Sequence, residues 1–362
     1  MRMLYLTNCR LPTEKAHGLQ IIKMCANFAQ EGAALELIAP RRKNPIAQNV
    51  FDYYKVSSNF TLKKLPCLNW GFLIQKLSFG FVLFFYLLFK KADVIYTREK
   101  FLLFLGYFRK NFFFEAHRPL RRFFIRQMKK AKGIITISQG LKKLFRGQGI
   151  GEEKVLIASS AVDLEKFSLE ISTQEARQEL GLAADKKIIL YSGHFYPENG
   201  PQVLAQAAQN LPSDVLVYFL GGAKKDTKAF REKYLTKNIV VLGHRSPSKV
   251  PLWLKAADIL AAPYLAKDEY AKLYMSSMKI FEYMASHRPI IASDLPSIRE
   301  VLNNNNALLV KDNEPNVLAQ AIQKLLTQPE LANQLANQAF FDVQKHSWHL
   351  RTQRVLNFIQ TV

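Results

Sequence analysis

The amino-acid sequence predicts an α/β protein made of two Rossmann-like domains in tandem. Three observations point there. The chain has 362 residues, which at roughly 150 residues per domain suggests two domains. Its strand candidates are short, all-apolar runs, as expected of parallel strands covered on both faces. These runs alternate with segments of helical periodicity, and the alternation restarts near mid-chain.

The elements follow in order. Met3–Leu6 is a strand, and a polar loop runs from Thr7 to His17. Gly18–Ala29 carries apolar residues at helical spacing (Leu19, Ile22, Ala26, Ala29), and Gly32 ends it. Leu35–Ala39 is the next strand, stopped by Pro40, which completes a βαβ unit. Val94–Tyr96, Phe112–Glu115, Gly133–Ser138 and Val155–Ala158 read as further strands. Ala161–Leu169 looks like a linker. Lys187–Tyr191 opens the second half and leads into a Gly/Pro loop to Pro201, then a helix over Gln202–Gln209. Val215–Leu220, Ile239–Leu242, Ile259–Ala262, Ile290–Ala292 and Ala307–Val310 are its other strands, and Arg351–Ile359 is a closing helix.

Composition narrows the function classes. Hydrophobic residues make up 49% and charged residues 22%, which suits a globular chain and excludes a disordered one. The three cysteines, Cys9, Cys25 and Cys67, form no CxxC pair, so a reducing, cytoplasmic compartment is expected and no secretory leader is read at the start. The net charge is +22 and uneven: residues 1–164 hold 28 Lys+Arg against 10 Asp+Glu, whereas residues 165–362 hold 23 against 19. Such asymmetry calls for an anionic partner of the first half. The longest apolar stretch, Leu77–Phe89, has 13 residues against the roughly 20 needed to span a bilayer, and is expected to be buried or interfacial.

The segment richest in chemistry is Ala271–Glu300. Ser276 and Ser277 can cap a helix over Met278–Ala285, and the first amides of a helix form an anion site. Lys279 falls in the first turn, where the helix dipole disfavours a cation. A phosphate at that end would make sense of it. Glu282, a turn later, suits the vicinal hydroxyls of a ribose. Leu190–Gly200 is a strand running into a Gly-rich loop. His117 lies just past an apolar strand, where α/β proteins build sites. No carboxylate cluster suggests a metal, and Gly147–Gly151 lacks the preceding strand of a dinucleotide fingerprint.

These motifs, in this order, resemble the retaining GT-B glycosyltransferases of glycosyltransferase family 4 (glycosyl transferases group 1). The resemblance implies two Rossmann-like domains facing each other across a cleft. Residues 1–164 would take the acceptor, residues 165–345 the nucleotide-sugar donor, and a helix at about 346–362 would pack back on the first domain. It implies diphosphate binding at Ser276, Ser277, Met278 and Lys279, ribose binding at Glu282, and a sugar-facing, catalytic His117. Tyr274 stands where the family commonly has a glutamate. In the loop after the strand, Gly193 is followed by His194, and Asn199 precedes Gly200, where the family has Arg and Lys. Arg245 or Lys279 could offset that lost charge. His17 and Gly18 are similar to the family's first loop, which approaches the acceptor. The family generally needs no metal or cofactor beyond the donor.

Between Ala116 and Gly151 stand ten Lys or Arg and no acid, interrupted by Phe123, Phe124 and Ile125. A helix with basic and aromatic residues can lie on anionic lipid, so residues 118–146 offer a surface for the anionic inner face of a membrane. No nucleic-acid-binding module is present. The expected activity is transfer of a sugar to a lipid-linked or polysaccharide acceptor in envelope glycan synthesis. The rivals are an inactive GT-B scaffold, a membrane-surface adaptor and, with less support, a sugar-nucleotide epimerase.

Overall fold

Seven parallel strands open the chain in a computed structural model that describes residues 1–362. They are β1 (Arg2–Leu6), β2 (Ala34–Pro40), β3 (Thr61–Leu65), β4 (Val94–Thr97), β5 (Phe112–Ala116), β6 (Gly133–Thr136) and β7 (Val155–Ile157). Their order is β3-β2-β1-β4-β5-β6-β7, so the winding reverses between β1 and β4. Sequence reading passed over β3, Thr-Leu-Lys-Lys-Leu. It is an edge strand, where lysines on a free edge discourage further pairing.

Helix α1 (Ala16–Gln30) follows β1 and starts two residues earlier than expected, taking His17 out of the loop. Helix α2 (Gly71–Phe89) precedes β4, a 3-10 helix (Lys100–Tyr107) precedes β5, and α3 (Arg122–Met128) precedes β6. Right-handed crossovers put α2, the 3-10 helix and α3 on one face of the sheet and α1 on the other. One expectation is corrected here. α2 has 19 residues rather than 13, which makes it long and apolar enough to cross a membrane by length and composition, yet most of it is exposed. The basic segment 118–146 is divided as the sequence predicts: α3 and the helix Gln139–Gly147 are separated by β6, with Gly133-Ile-Ile-Thr as an inner strand.

The chain divides into two units, Met1–Ser159 with Trp348–Val362, and Ser160–Ser347. The first boundary thus lies five residues before the expected 164/165. Ser160 is tied to the second unit: its amide donates to Ser276 Oγ at 2.8 Å and its hydroxyl to the Ser276 carbonyl at 2.7 Å. Val162 pairs with Ser347, and Leu164–Phe167 is a short helix rather than irregular linker.

The second sheet has six parallel strands in the order β10-β9-β8-β11-β12-β13. They are β8 (Lys187–Ser192), β9 (Val215–Leu220), β10 (Ile239–Gly243), β11 (Ile259–Ala262), β12 (Ile290–Ser293) and β13 (Leu308–Val310). The winding reverses between β8 and β11. Alternation along β8 sends Ile188 and Leu190 into one buried cluster and Ile189 and Tyr191 into the other, so both faces are covered.

The C-terminal helix Trp348–Thr361 belongs to the first unit and packs beside α1. Its Arg351 is fully buried. Nη2 donates to Glu115 Oε1 at 2.7 Å and Nε to the Ser159 carbonyl at 2.8 Å. Replacing one partner of a buried ion pair leaves the other charge uncompensated. We expect Arg351→Met to cost roughly 3–5 kcal/mol in urea unfolding, and Glu115→Gln in the same chain to recover part of that loss.

Candidate functional site

In open parallel sheets, ligands bind beyond the carboxyl ends of the strands where the winding reverses. In the second unit that place is the loops after β8 and β11. Gly200, in the first of these loops, has φ +72°, and a Cβ there would stand 1.6 Å from the Pro263 carbonyl oxygen of the other. Only glycine lets the two backbones approach so closely. Tyr283 fixes the end of β8 by accepting a hydrogen bond from the Ser192 amide at 2.8 Å.

Helix α4 (Met278–Ala285) has its amino end here. Its first amides lack intrahelical acceptors, as in any helix. Ser277 is the N-cap residue but makes no side-chain cap bond; its hydroxyl is bonded to Tyr264 Oη at 2.6 Å. Ser276 Oγ is taken by the Ser160 amide. The expectation that these hydroxyls cap the helix is therefore corrected, because neighbouring tertiary partners claim both. Met278 is half-buried at the first helical position.

Lys279 is the most unusual charge in the unit. Its ammonium is buried and has no hydrogen-bond partner. It stands 4.2 Å from the Tyr191 ring centroid and 4.8 Å from that of Tyr264, a cation–π setting. Gly193 has φ +143°, and a Cβ there would come within 3.0 Å of Lys279 Nζ. Lys279 thus brings the helix start and the glycine loop together. Burial pushes its ammonium down to about 7, against a smaller opposing pull from Glu282. Burial likewise pushes the Glu282 carboxyl up to about 7, with Lys166 and Lys279 opposing. An anion at this helix start would offset the buried charge, the unfavourable dipole and the missing hydrogen bond together.

The other expected donor residues are placed less favourably. Asn199 Nδ2 donates to the His194 carbonyl at 3.0 Å, bracing the loop from within. The His194 ring stacks on Tyr196 at 5.1 Å. Arg245, after β10, is exposed and donates to the neighbouring His244 carbonyl. Tyr274 is buried, with its hydroxyl donating to Glu269 at 3.3 Å.

In the first unit, β5 carries Glu115 and delivers His117 at its carboxyl end. Burial alone would raise the Glu115 carboxyl, but Arg351 and His117 hold it well below the usual carboxylate range. The ionised carboxylate must accept, so His117 Nε2 donates to Glu115 Oε1 at 2.8 Å. Burial and Arg98 push the imidazole down to about 4. His117 is therefore neutral at pH 7, with Nδ1 as an acceptor. Tyr96 Oη donates to Glu115 Oε2, and Arg98 reaches the network through Gln20.

His17 is half-buried, and burial with Arg98 pushes it to about 4. Gly18 is buried within α1, with its amide bonded to the Lys15 carbonyl. A Cβ there would lie 2.4 Å from both Thr13 Cγ2 and Tyr54 Oη, so packing by itself requires the glycine.

Sequence reading missed Tyr191, Tyr264, Tyr283, Arg98 and Arg351. Glu115 carried a signal of its own: a carboxylate inside the apolar run Phe-Phe-Phe-Glu-Ala must find a buried partner. The tyrosines carried none, since an aromatic within or beside an apolar strand or helix reads as core.

Residues 172–340 match the family model described as glycosyl transferases group 1. A D-inositol 3-phosphate glycosyltransferase of Xylanimonas cellulosilytica is 28% identical over 59% of this chain and 53% of its own length. A putative teichuronic acid biosynthesis glycosyltransferase of Bacillus subtilis is 26% identical over 64% of this chain and 57% of its own. The chain thus spans about half the length of the curated relatives it matches. Anabaena HepE, solved in complex with UDP and glucose, superposes with a TM-score of 0.79 at 16% identity, covering all of both chains. The family match thus falls within the second unit, over a little less than half of the chain, and the chain has the GT-B fold.

Proposed function

We propose that the protein transfers a sugar from a nucleotide diphosphate sugar to a lipid-linked or polysaccharide acceptor, with retention at the anomeric carbon. One observation carries the reading: the buried, unpartnered ammonium of Lys279 at the start of α4. The diphosphate would sit on the first amides of α4 and on Lys279, and Glu282 would take the ribose hydroxyls. As the anomeric C–O bond breaks, its electron pair passes to the diphosphate. Fixed amides and an ammonium stabilise that growing charge. In this reading the charge normally supplied by a metal comes from Lys279, so transfer is metal-independent. The acceptor oxygen attacks from the face the diphosphate leaves, and a phosphate oxygen takes the acceptor's proton. His117, neutral and with Nδ1 accepting, would orient a sugar hydroxyl rather than face the positive centre as a cation.

The relative named for teichuronic acid biosynthesis supports an acceptor of the cell envelope. The cations of 118–146 would then face the anionic inner leaflet from the cytoplasm. A second reading, an inactive scaffold, draws on Asn199 and Arg245. Neither is aimed as a diphosphate grip: one braces its own loop and the other lies in solvent.

Turnover with a panel of UDP- and GDP-sugars separates the two. We expect Lys279→Gln and Glu282→Ala to weaken donor binding by roughly 10–100-fold in calorimetry, the loss of one charged hydrogen-bond partner each. His117→Ala should lower kcat by about tenfold or more at unchanged nucleotide affinity. Wild-type rates in His117→Ala and Glu282→Ala would refute the assignment, and binding of no nucleotide sugar at all would favour the scaffold.

The affinity should also depend on pH. Lys279, held at about 7, loses its charge as pH rises, while Glu282, also at about 7, gains one. Both changes oppose an anion. UDP affinity should therefore fall by about tenfold between about pH 7 and 8.5, with proton uptake on binding, and Lys279→Gln should flatten the slope.

A further inference from the structure

Helix α2 is the surface of the first unit that sugar transfer leaves unexplained. Of its 19 residues only Phe79, Leu83 and Leu87 are buried. They recur every four residues, so a single narrow stripe meets the protein. Much of the rest is apolar and in solvent: Phe72, Leu73, Leu77, Phe81 and Phe89, with the N-cap Trp70, are between 64% and 87% exposed. Contiguous exposure of this kind marks an interaction surface.

The helix is part of a wider band. Lys76 lies over the Phe101 ring at 4.6 Å, and a Cβ on Gly80 would touch the same ring at 3.8 Å. Arg109 donates to the Leu87 carbonyl. On the other side of the 3-10 helix, Lys100 lies over Phe124 of α3 at 5.4 Å, and Lys130 over Tyr107 at 5.7 Å. The band adds exposed Tyr107, Phe108 and Phe123. Its charge is one-sided. From residue 53 to 151 there are 20 Lys+Arg and three acids. Asp93 is paired with Arg2, Glu99 accepts from the Asn8 amide, and Glu115 is buried under Arg351. The exposed cations Lys100, Lys110, Arg121, Arg122, Arg126 and Lys129 flank the apolar face.

We propose that this face docks on an anionic lipid bilayer. The exposed side of α2, with Phe123 and Phe108, enters the boundary between headgroups and acyl chains, and the cations of the 3-10 helix and α3 meet lipid phosphates. A protein partner would be expected to find acids as well as cations to pair with; this band offers cations alone. A spanning helix is disfavoured by the buried stripe, because Phe79, Leu83 and Leu87 anchor the second half of α2 to its own unit. Docking goes beyond sugar transfer and does not require it.

Sedimentation of the full chain with vesicles tests the proposal. Phosphatidylcholine vesicles with and without phosphatidylglycerol are the probes. The wild type should bind the anionic vesicles preferentially, with a blue shift of tryptophan emission as Trp70 leaves water. Replacing Phe72, Leu77, Phe81 and Phe85 together by serine should lower vesicle affinity by at least about tenfold. Arg121→Glu, Arg122→Glu and Arg126→Glu combined should remove the preference for anionic lipid. All seven side chains are exposed, so the fold should survive, as checked by circular dichroism and UDP binding. Three results would overturn the proposal: equal vesicle binding by the wild type and the serine variant, a concentration-dependent dimer in place of vesicle binding, or resistance to alkaline extraction, which means spanning. Docking without transfer to any acceptor would sink the enzymatic reading alone, and transfer without docking would sink this one alone.

Discussion

A carboxylate inside an apolar strand has to be neutralised, and Glu115 is neutralised by Arg351, which lies 236 residues further along the chain. Much of the first unit is arranged around that pair. It brings the last helix back to the first sheet, and it engages the carbonyls of Ala158 and Ser159 at the point where the chain leaves the unit. It keeps Glu115 ionised, which makes Tyr96 and His117 donors to it. The tautomer of His117, and hence which ring nitrogen is left to accept, therefore depends on an arginine near the C-terminus. Buried ion pairs often add little to net stability. This one earns its place by fixing a geometry that an apolar pair could not.

The second unit handles a buried charge in the opposite way. Lys279 enters the protein without a counter-ion or a hydrogen bond, held only by two aromatic faces. The carboxylate that pulls on it, Glu282, is itself shifted by burial towards its neutral form. A protein at rest gains nothing from such an arrangement, since the helix dipole opposes the cation as well. On the proposed reading the arrangement would become favourable with a phosphate bound, because one ligand would satisfy the ammonium and the free amides at once. The contrast separates a structural charge, fully paired, from a charge waiting for its partner.

The one-sided charge of the first half acquires a location in the structure. Its cations border an apolar helix turned towards solvent, so charge and hydrophobicity share one face of the unit. Composition could report the excess of Lys and Arg but not that it adjoins α2. Helical periodicity could not reveal the exposure either. α2 is apolar nearly all round, and such a helix reads as buried until its neighbours are known.

By itself the sequence determined the layered α/β architecture, the approximate bounds of most strands, the helix start at Met278 and the prominence of Lys279, Glu282 and His117. These follow from local rules: short apolar runs, helical spacing, and ionisable residues at the ends of elements. Tertiary structure alone decided who partners whom. It spent the hydroxyls of Ser276 and Ser277 on Ser160 and Tyr264, turned Asn199 inward, gave Gly18 a packing reason, and joined Glu115 to Arg351. It also left β3 as a lysine-bearing edge strand that no apolar pattern announces. The physical reason is common to all of these. Periodicity and propensity act within a few residues, whereas the ionisation and hydrogen bonding of a buried group are set by whatever the fold places within a few ångströms of it.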